Sequence, residues 1–273
     1  MLETVRDPIG SIRLALSVLG AAVLGWIGVI ALHAALMTAP ISPTLAALPV
    51  ELRGLVRFCG HAPDLAGTGF ANWMLGWALM VIAMMLPPAL PLLRAGLRLL
   101  AGHGDGRQAL LLMLGAFVAI WIAAGAVLFA GGTLLRAGLR LLPIGMQRAD
   151  LASGLAAIAA GLFQFSSLKM ACMDACRSPT ALMMLRWRDA RPLRSSLDVG
   201  ARYGVICVGC CWATMLLAVL VGALMLPIMV AAALFMTLER LLPSTRRLIP
   251  IQAGFAIAIG MLLLTGAVPP AFF

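Results

Sequence analysis

The feature that most constrains this chain is a series of long apolar runs that carry almost no charge. Only 11% of the 273 residues are charged, 63% are hydrophobic, and the mean hydropathy is +1.05. A soluble domain carries about 25% charged residues, so this composition cannot build a water-facing surface. Lipid offers no partners for backbone N–H and C=O groups, which restricts spanning structures to helices and closed barrels. The runs are continuous and do not alternate, so the sequence predicts helices.

The apolar runs predict an all-α fold, a polytopic transmembrane helix bundle with about seven spans, or six. A span needs roughly 20 apolar residues. We expect one integral membrane domain over 1–273, with an external loop at 38–70 and a basic cytoplasmic loop at 171–202. Pro87 and Pro88 are expected to kink the second span or to end its regular part. The predicted spans cover approximately 13–37, 71–93, 109–132, 150–170, 203–225, 227–242 and 251–268.

The positive charges predict the orientation of the bundle. The net charge is +10, and fifteen of the 20 Lys and Arg residues fall at alternate ends of the predicted spans. Such residues accumulate on the cytoplasmic side, so we expect a cytoplasmic N-terminus and an external C-terminus in a bacterial inner membrane. Because topology explains these charges, nucleic acid is not expected as a partner. Six basic residues are expected at the membrane interface: Lys169, Arg177, Arg186, Arg188, Arg191 and Arg194. The run over 186–194 is expected to face lipid head groups.

Five of the six cysteines flank the predicted basic loop in two helix-spaced groups. Cys172 and Cys176 are one helical turn apart, and Cys207, Cys210 and Cys211 also share a helix face. Thiols in a reducing compartment are more often metal ligands or redox groups than structural disulfides. The two faces can converge, so these five cysteines are candidate metal ligands. Thiolates select Cu(I) and zinc, and we expect copper(I), with zinc as the alternative.

Three methionines and one aspartate are weaker candidates for a metal path. Met80, Met84 and Met85 lie in the second predicted span, in the half of the bundle that also holds the cysteines. Asp174 stands between Cys172 and Cys176, where it is either a ligand or a solvated neighbour of the arginines. Met and Cys are also common packing residues in apolar cores, and packing is the alternative for each of these side chains taken singly.

Three stretches resemble a bacterial family described as predicted metal-binding integral membrane proteins of uncharacterised function. They are WALMVIAMMLPPALP, FSSLKMACMDACRSP and YGVICVGCCWATM, which begin at Trp77, Phe165 and Tyr203. The resemblance extends over about 73–242. It implies the five clustered cysteines as metal ligands and the three methionines as the family's Met-Met-Pro element. The first loop, with Cys59, lies outside these stretches, and the resemblance implies nothing for it.

The sequence favours a protein that binds a soft metal ion for transport, delivery or homeostasis. A metal chaperone or another membrane subunit is the partner expected beside the lipid bilayer. The sequence contains no phosphate-binding loop, hydrolase elbow or HExxH pattern, so an enzymatic role has little support. Two alternatives stay open. One is a membrane thiol-redox protein, because Cys207 and Cys210 have CxxC spacing. The other is a metal-free structural subunit of a membrane complex, whose 28 glycines permit close helix contacts.

Overall fold

The computed structural model describes residues 8–38, 68–101, 103–141, 149–187, 191–220, 225–241 and 248–267. The regular structure in these ranges is helical throughout, as the sequence predicts. Most of the predicted external loop, including Cys59 and His61, lies outside the described residues. The helices are α1 Pro8–Thr38, α2 Thr68–Leu99, α3 Gly106–Arg140, α4 Ala149–Phe163, α5 Ser167–Arg177, α6 Pro179–Arg186, α7 Pro192–Leu220, α8 Met225–Leu241 and α9 Ile249–Leu264.

Four of these helices are long and apolar enough to cross a membrane, namely α1, α2, α3 and α7. The bent pair Leu151–Phe163 and Ser167–Arg177 adds a fifth crossing if it is counted as one span. Helices α8 and α9 contain 17 and 16 residues, fewer than the roughly 20 that a span needs. The all-α membrane-type fold is therefore confirmed. By length and composition, the described residues contain four or five spans, compared with the seven that we predicted.

The predicted span over 150–170 is broken in the structure. Helix α4 ends at Phe163, and the chain bends by 61° before it continues as α5. Ser166 Oγ accepts a hydrogen bond of 3.1 Å from the backbone N–H of Lys169. A serine that binds an exposed N–H group in this way favours the start of a new helix. The predicted basic loop at 171–202 contains the end of α5, all of α6 and the first turns of α7, so its described part is largely helical.

Helix α7 is the central element of the bundle. It packs against α3, α4, α5, α6 and α8, and its buried residues point to several sides. A helix that is apolar on most sides belongs in the interior. The contact with α3 is close at Gly200, where an added Cβ would overlap the carbonyl oxygen of Met113. Because glycine has no Cβ, the backbones of α3 and α7 can approach one another here.

We expect Gly200→Ala to lower the free energy of unfolding by about 1–3 kcal/mol, the usual range for overpacking a well-packed interior. The new methyl group would force α7 away from the Met113 carbonyl oxygen. Thermal unfolding in detergent, followed by circular dichroism, measures the change. Gly115→Ala in α3 is the control, because an added Cβ there has no neighbouring atom within 4 Å. Equal unfolding temperatures for the two variants would contradict this account of the contact.

Helix α2 is longer than the second predicted span. It continues through Pro87, Pro88 and Pro91 and ends at Leu99. Proline is more frequent in membrane helices than in soluble ones. Here the fully buried Tyr203 of α7 places its hydroxyl 3.4 Å from the Pro88 carbonyl oxygen. The prolines therefore do not end the helix, and this part of α2 lies against the central helix.

Candidate metal centre

Three buried cysteine sulfurs form a cluster between α5 and α7. The Sγ atoms of Cys176, Cys207 and Cys210 all lie within 4.8 Å of one another. Cys176 Sγ of α5 is 3.7 Å from Cys210 Sγ of α7. None of the three residues is more than 5% exposed. Residues three apart share a helix face, which directs Cys207 and Cys210 toward the same neighbour.

The spacing of the cluster fits a metal ion that is shared by thiolates. A metal–thiolate bond of about 2.3 Å places two sulfurs of one ion roughly 3.7–4.0 Å apart. The separation of 3.7 Å between Cys176 Sγ and Cys210 Sγ lies in this range. Because thiols must lose their protons to bind a metal, loading of such a cluster releases protons. The arrangement can therefore bind a soft cation without any large change in side-chain position.

The other two described cysteines lie beside the cluster. Cys211 Sγ is 3.2 Å from Cys210 Sγ, but it is outside the group of three. Cys172 is half-buried, and its Sγ would lie 2.8 Å from a Cβ added at Gly209. None of the five described cysteines forms a disulfide. The structure thus brings three of the five predicted ligands together and leaves the other two next to them.

The weaker candidates occupy two kinds of environment. Met80, Met84 and Met85 are at most 3% exposed and belong to the same apolar core as the sulfur cluster. Their burial supports the packing role that methionine commonly has in such cores. Asp174 is exposed, whereas the buried face of α5 is formed by other residues. For Asp174, the structure supports solvation and not a place in the cluster.

A buried polar network, which the sequence analysis did not identify, lies beside the thiol-bearing helices. The Lys169 ammonium group donates to Gln164 Oε1, to Glu239 Oε1 at 2.9 Å and to Gln252 Oε1 at 3.1 Å. Gln252 Nε2 in turn donates to Thr214 Oγ1 at 2.8 Å. All five residues are at most 5% exposed. The network joins the end of α4 and helices α5, α7, α8 and α9.

Lys169, which was expected at the membrane interface, is fully buried among the helices and forms an ion pair with Glu239. Arg177 is half-buried, and its guanidinium donates to the backbone carbonyl of Glu239, with Nε at 3.1 Å and with Nη2. The structure leaves Arg186, Arg191 and Arg194 exposed, whereas Arg188 lies outside the described residues. A sequence signal for the network did exist, because polar and ionisable residues inside apolar spans often mark functional sites.

The single tyrosine of the chain is a second residue that the sequence analysis missed. The Tyr203 hydroxyl lies 3.2 Å from the carbonyl oxygen of Cys176, in addition to its contact with Pro88. It therefore connects the C-terminal part of α5 with α2 and α7. The YG pair before the CxxCC group gave no local indication of this long-range contact, because its partners lie far away in the chain.

One comparison with known proteins identifies a family. A family model described as PpoB2, copper chaperone, matches residues 74–263. No curated protein and no solved structure matches the chain. The matched range contains the three clustered sulfurs, the two neighbouring thiols and the polar network. It covers well over half of the chain, and it agrees with the metal-binding family that the sequence motifs indicated. The chain therefore belongs to the PpoB2 copper chaperone family.

Proposed function

We propose that this membrane protein binds copper(I) through Cys176, Cys207 and Cys210 and delivers it to a partner protein. The observation that carries the proposal is the group of three buried thiols within 4.8 Å of one another. Copper is the cargo here, and the thiols hold it away from water until it is transferred. Membership of a copper chaperone family supports the choice of metal and the role in delivery.

The number and type of ligands favour copper(I) over zinc. Soft thiolates select copper(I), but they also bind zinc. Structural zinc sites almost always have four ligands. Among the described residues, the group contains three sulfurs, and no histidine or carboxylate joins it. We therefore assign copper(I) as the ion that the cluster binds.

Delivery requires that the buried ion can reach a partner. Cys172 is the only described cysteine that is half-buried, and it lies one helical turn from Cys176. We infer that copper moves between Cys172 and the buried cluster by exchange of thiolate ligands. The partner would be a protein that presents soft ligands of its own, such as a soluble metal chaperone or another membrane subunit. Met80, Met84 and Met85 stay candidates for the inner part of such a path.

The same geometry supports thiol-redox activity as a second candidate function. The sulfurs of Cys176 and Cys210 are 3.7 Å apart, so a modest movement would bring them to disulfide distance. Thiol trapping in cells distinguishes the two functions. A reversible Cys176–Cys210 disulfide supports electron relay, whereas reduced thiols that only copper protects from alkylation support metal delivery.

Location in a bacterial inner membrane is part of the proposal. The apolar helices support a membrane location, with the lipid bilayer as the surrounding partner. The distribution of arginine supports a cytoplasmic N-terminus and an external C-terminus. In this orientation the exposed Arg186, Arg191 and Arg194 would face anionic lipid head groups on the cytoplasmic side.

X-ray absorption spectroscopy of the purified, copper(I)-loaded protein tests the proposed site. We expect one tightly bound copper ion per chain with three sulfur neighbours, because three thiols converge at the cluster. Nitrogen or oxygen neighbours in place of sulfur would contradict the assignment. Failure of the intact chain to retain copper during dialysis against a weak chelator would contradict the function itself.

A further inference from the structure

We propose that Lys169 and Glu239 form a positioning pair that holds the α5 thiol within reach of the α7 thiols. The proposal rests on the function proposed above and adds residues that do not touch copper. Lys169 Nζ lies 2.9 Å from Glu239 Oε1, and the two side chains are 1% and 6% exposed. Without this pair, Cys176 would not be held 3.7 Å from Cys210.

The buried face of α5 is small, so each of its members matters for the orientation of the helix. In this helix of 11 residues, only Lys169, Met173 and Cys176 are buried. Their spacing of four and three places them in one row along the helix. Rotation of α5 about its axis would therefore move Lys169 and Cys176 together. A fixed position for the Lys169 ammonium group consequently determines where Cys176 Sγ points.

Glu239 of α8 is bound by α5 at two points. Its carboxylate accepts from Lys169, and its backbone carbonyl accepts from the Arg177 guanidinium. Cys172 and Cys176 lie between these two cations in the sequence. The turns of α5 that carry the thiols are thus bound to Glu239 through a residue before them, Lys169, and a residue after them, Arg177. Isolated helices of this length are marginally stable, so α5 depends on such tertiary contacts for its position.

The same lysine also determines how α5 leaves the bend. Its backbone N–H is capped by Ser166, and its side chain donates to Gln164, on the other side of the bend. Thr214 of α7, one turn beyond Cys210, accepts hydrogen bonds from Gln252 and Gln164. Polar networks in which every member is satisfied specify one arrangement of the packed elements. The network therefore connects the bend before the α5 thiols with the helix that carries the other two ligands.

Stability alone does not explain a buried ion pair at this position. Desolvation of two charges offsets much of their attraction, and well-packed apolar side chains often stabilise a fold equally well. Met or Leu at both positions would fill the space without desolvation of charge. The pair instead fixes the direction of the Lys169 side chain, because its ammonium group has three oxygen partners in defined places.

A metal-free disulfide assay tests the proposal. In a background with serine at Cys59, Cys172, Cys207 and Cys211, only Cys176 and Cys210 remain. The thiol oxidant diamide joins their sulfurs, and both thiol protons and two electrons pass to the diamide. We expect the variant Lys169→Met/Glu239→Met to form this disulfide at least about tenfold more slowly than its parent, since misplacement by about 1 Å can slow a positioned reaction 10²-fold.

The control removes an exposed ion pair whose two residues both belong to α7. Asp198→Ala/Arg202→Ala deletes the exposed 2.8 Å pair on α7 and is expected to leave the disulfide rate unchanged. Circular dichroism and gel filtration in detergent show whether each variant folds. If the double methionine variant does not fold, Glu239→Gln replaces it, because Gln keeps an oxygen acceptor for Lys169. Glu239→Gln is expected to give a rate between those of the parent and of a chain without the pair.

A rate within twofold of the parent in a folded variant would overturn the positioning role. A second readout is the copper environment of the double methionine variant in a background with serine at Cys59, Cys172 and Cys211, which keeps only the three cluster thiols. We expect it to change from three sulfur neighbours to two, supplied by Cys207 and Cys210. Three neighbours in this variant would also overturn the proposal. Diamide oxidation needs no metal. The disulfide rate therefore tests the positioning role of Lys169 and Glu239 even if the intact chain proves not to bind copper.

Discussion

A chain with Cys207→Ser and Cys210→Ser is expected to bind copper(I) more than about 100-fold more weakly than the natural chain, because loss of groups that merely orient ligands already costs about 10–100-fold. The two substitutions remove two of the three clustered sulfurs and leave Cys176 as a single thiol. Serine oxygen is a harder ligand, which copper(I) does not prefer. Competition with a chromophoric copper(I) chelator in detergent measures the affinity directly.

The substitutions are expected to leave the fold intact. Cys210 Sγ already donates to the Cys207 carbonyl oxygen at 3.2 Å, and a serine hydroxyl can make the same contact. The matched control is Cys172→Ser/Cys211→Ser, which removes two thiols outside the group of three. It should retain copper with an affinity within about tenfold of the natural chain. Equal copper content in both double variants would mean that the cluster is not the binding site.

Lys169→Met alone is expected to lower the free energy of unfolding by about 3–5 kcal/mol, the range for breaking a buried ion pair from one side. The substitution leaves Glu239 in the interior without its cation, because their side chains are 6% exposed or less. It also removes the donor to Gln164 and Gln252. Denaturation by sodium dodecyl sulfate in mixed micelles, followed by circular dichroism, gives the change.

Two further variants separate the effect of breaking the buried ion pair on stability from the effect of removing any basic side chain. Lys169→Met/Glu239→Met should recover part of the loss, because it removes the uncompensated buried carboxylate. Arg202→Met breaks the exposed pair with Asp198, whose side chains are 46% and 43% exposed, and should change stability by less than about 1 kcal/mol. If Lys169→Met is no less stable than Arg202→Met, then the buried pair is not an interaction on which the fold depends.

The cysteines at 207, 210 and 211 show what a local sequence pattern can predict. CVGCCW predicts a buried helix face with several thiols, because spacings of three and four return to the same side of a helix. The structure places this group in α7 and buries all three cysteines. The sequence predicted one span over 150–170 and a loop over 171–202, whereas the chain bends by 61° after Phe163 and carries Cys172 and Cys176 in the separate helix α5. Cys176 therefore lies in the interior and not at the edge of the bundle.

The polar network shows where local pattern fails. Gln164, Lys169, Thr214, Glu239 and Gln252 come from four separate stretches of the chain. All five lie inside predicted spans, where a polar side chain needs a partner, but none of them alone shows which partner it will meet. Only their mutual hydrogen bonds make burial of the lysine favourable, since a charge without partners is costly to remove from water. No single stretch determines which partners it will meet, so the sequence did not predict the burial of Lys169.

The sequence by itself determined the class of fold and the residue types of the site. Hydropathy is a property of each segment, so the apolar runs were enough to predict a helical membrane protein, and helical periodicity was enough to group the cysteines. The tertiary structure alone decided which three thiols meet and which partners surround the buried lysine. These outcomes depend on contacts between residues that are 34 to 83 positions apart. Such contacts depend on how the helices pack, which no property of a single segment determines.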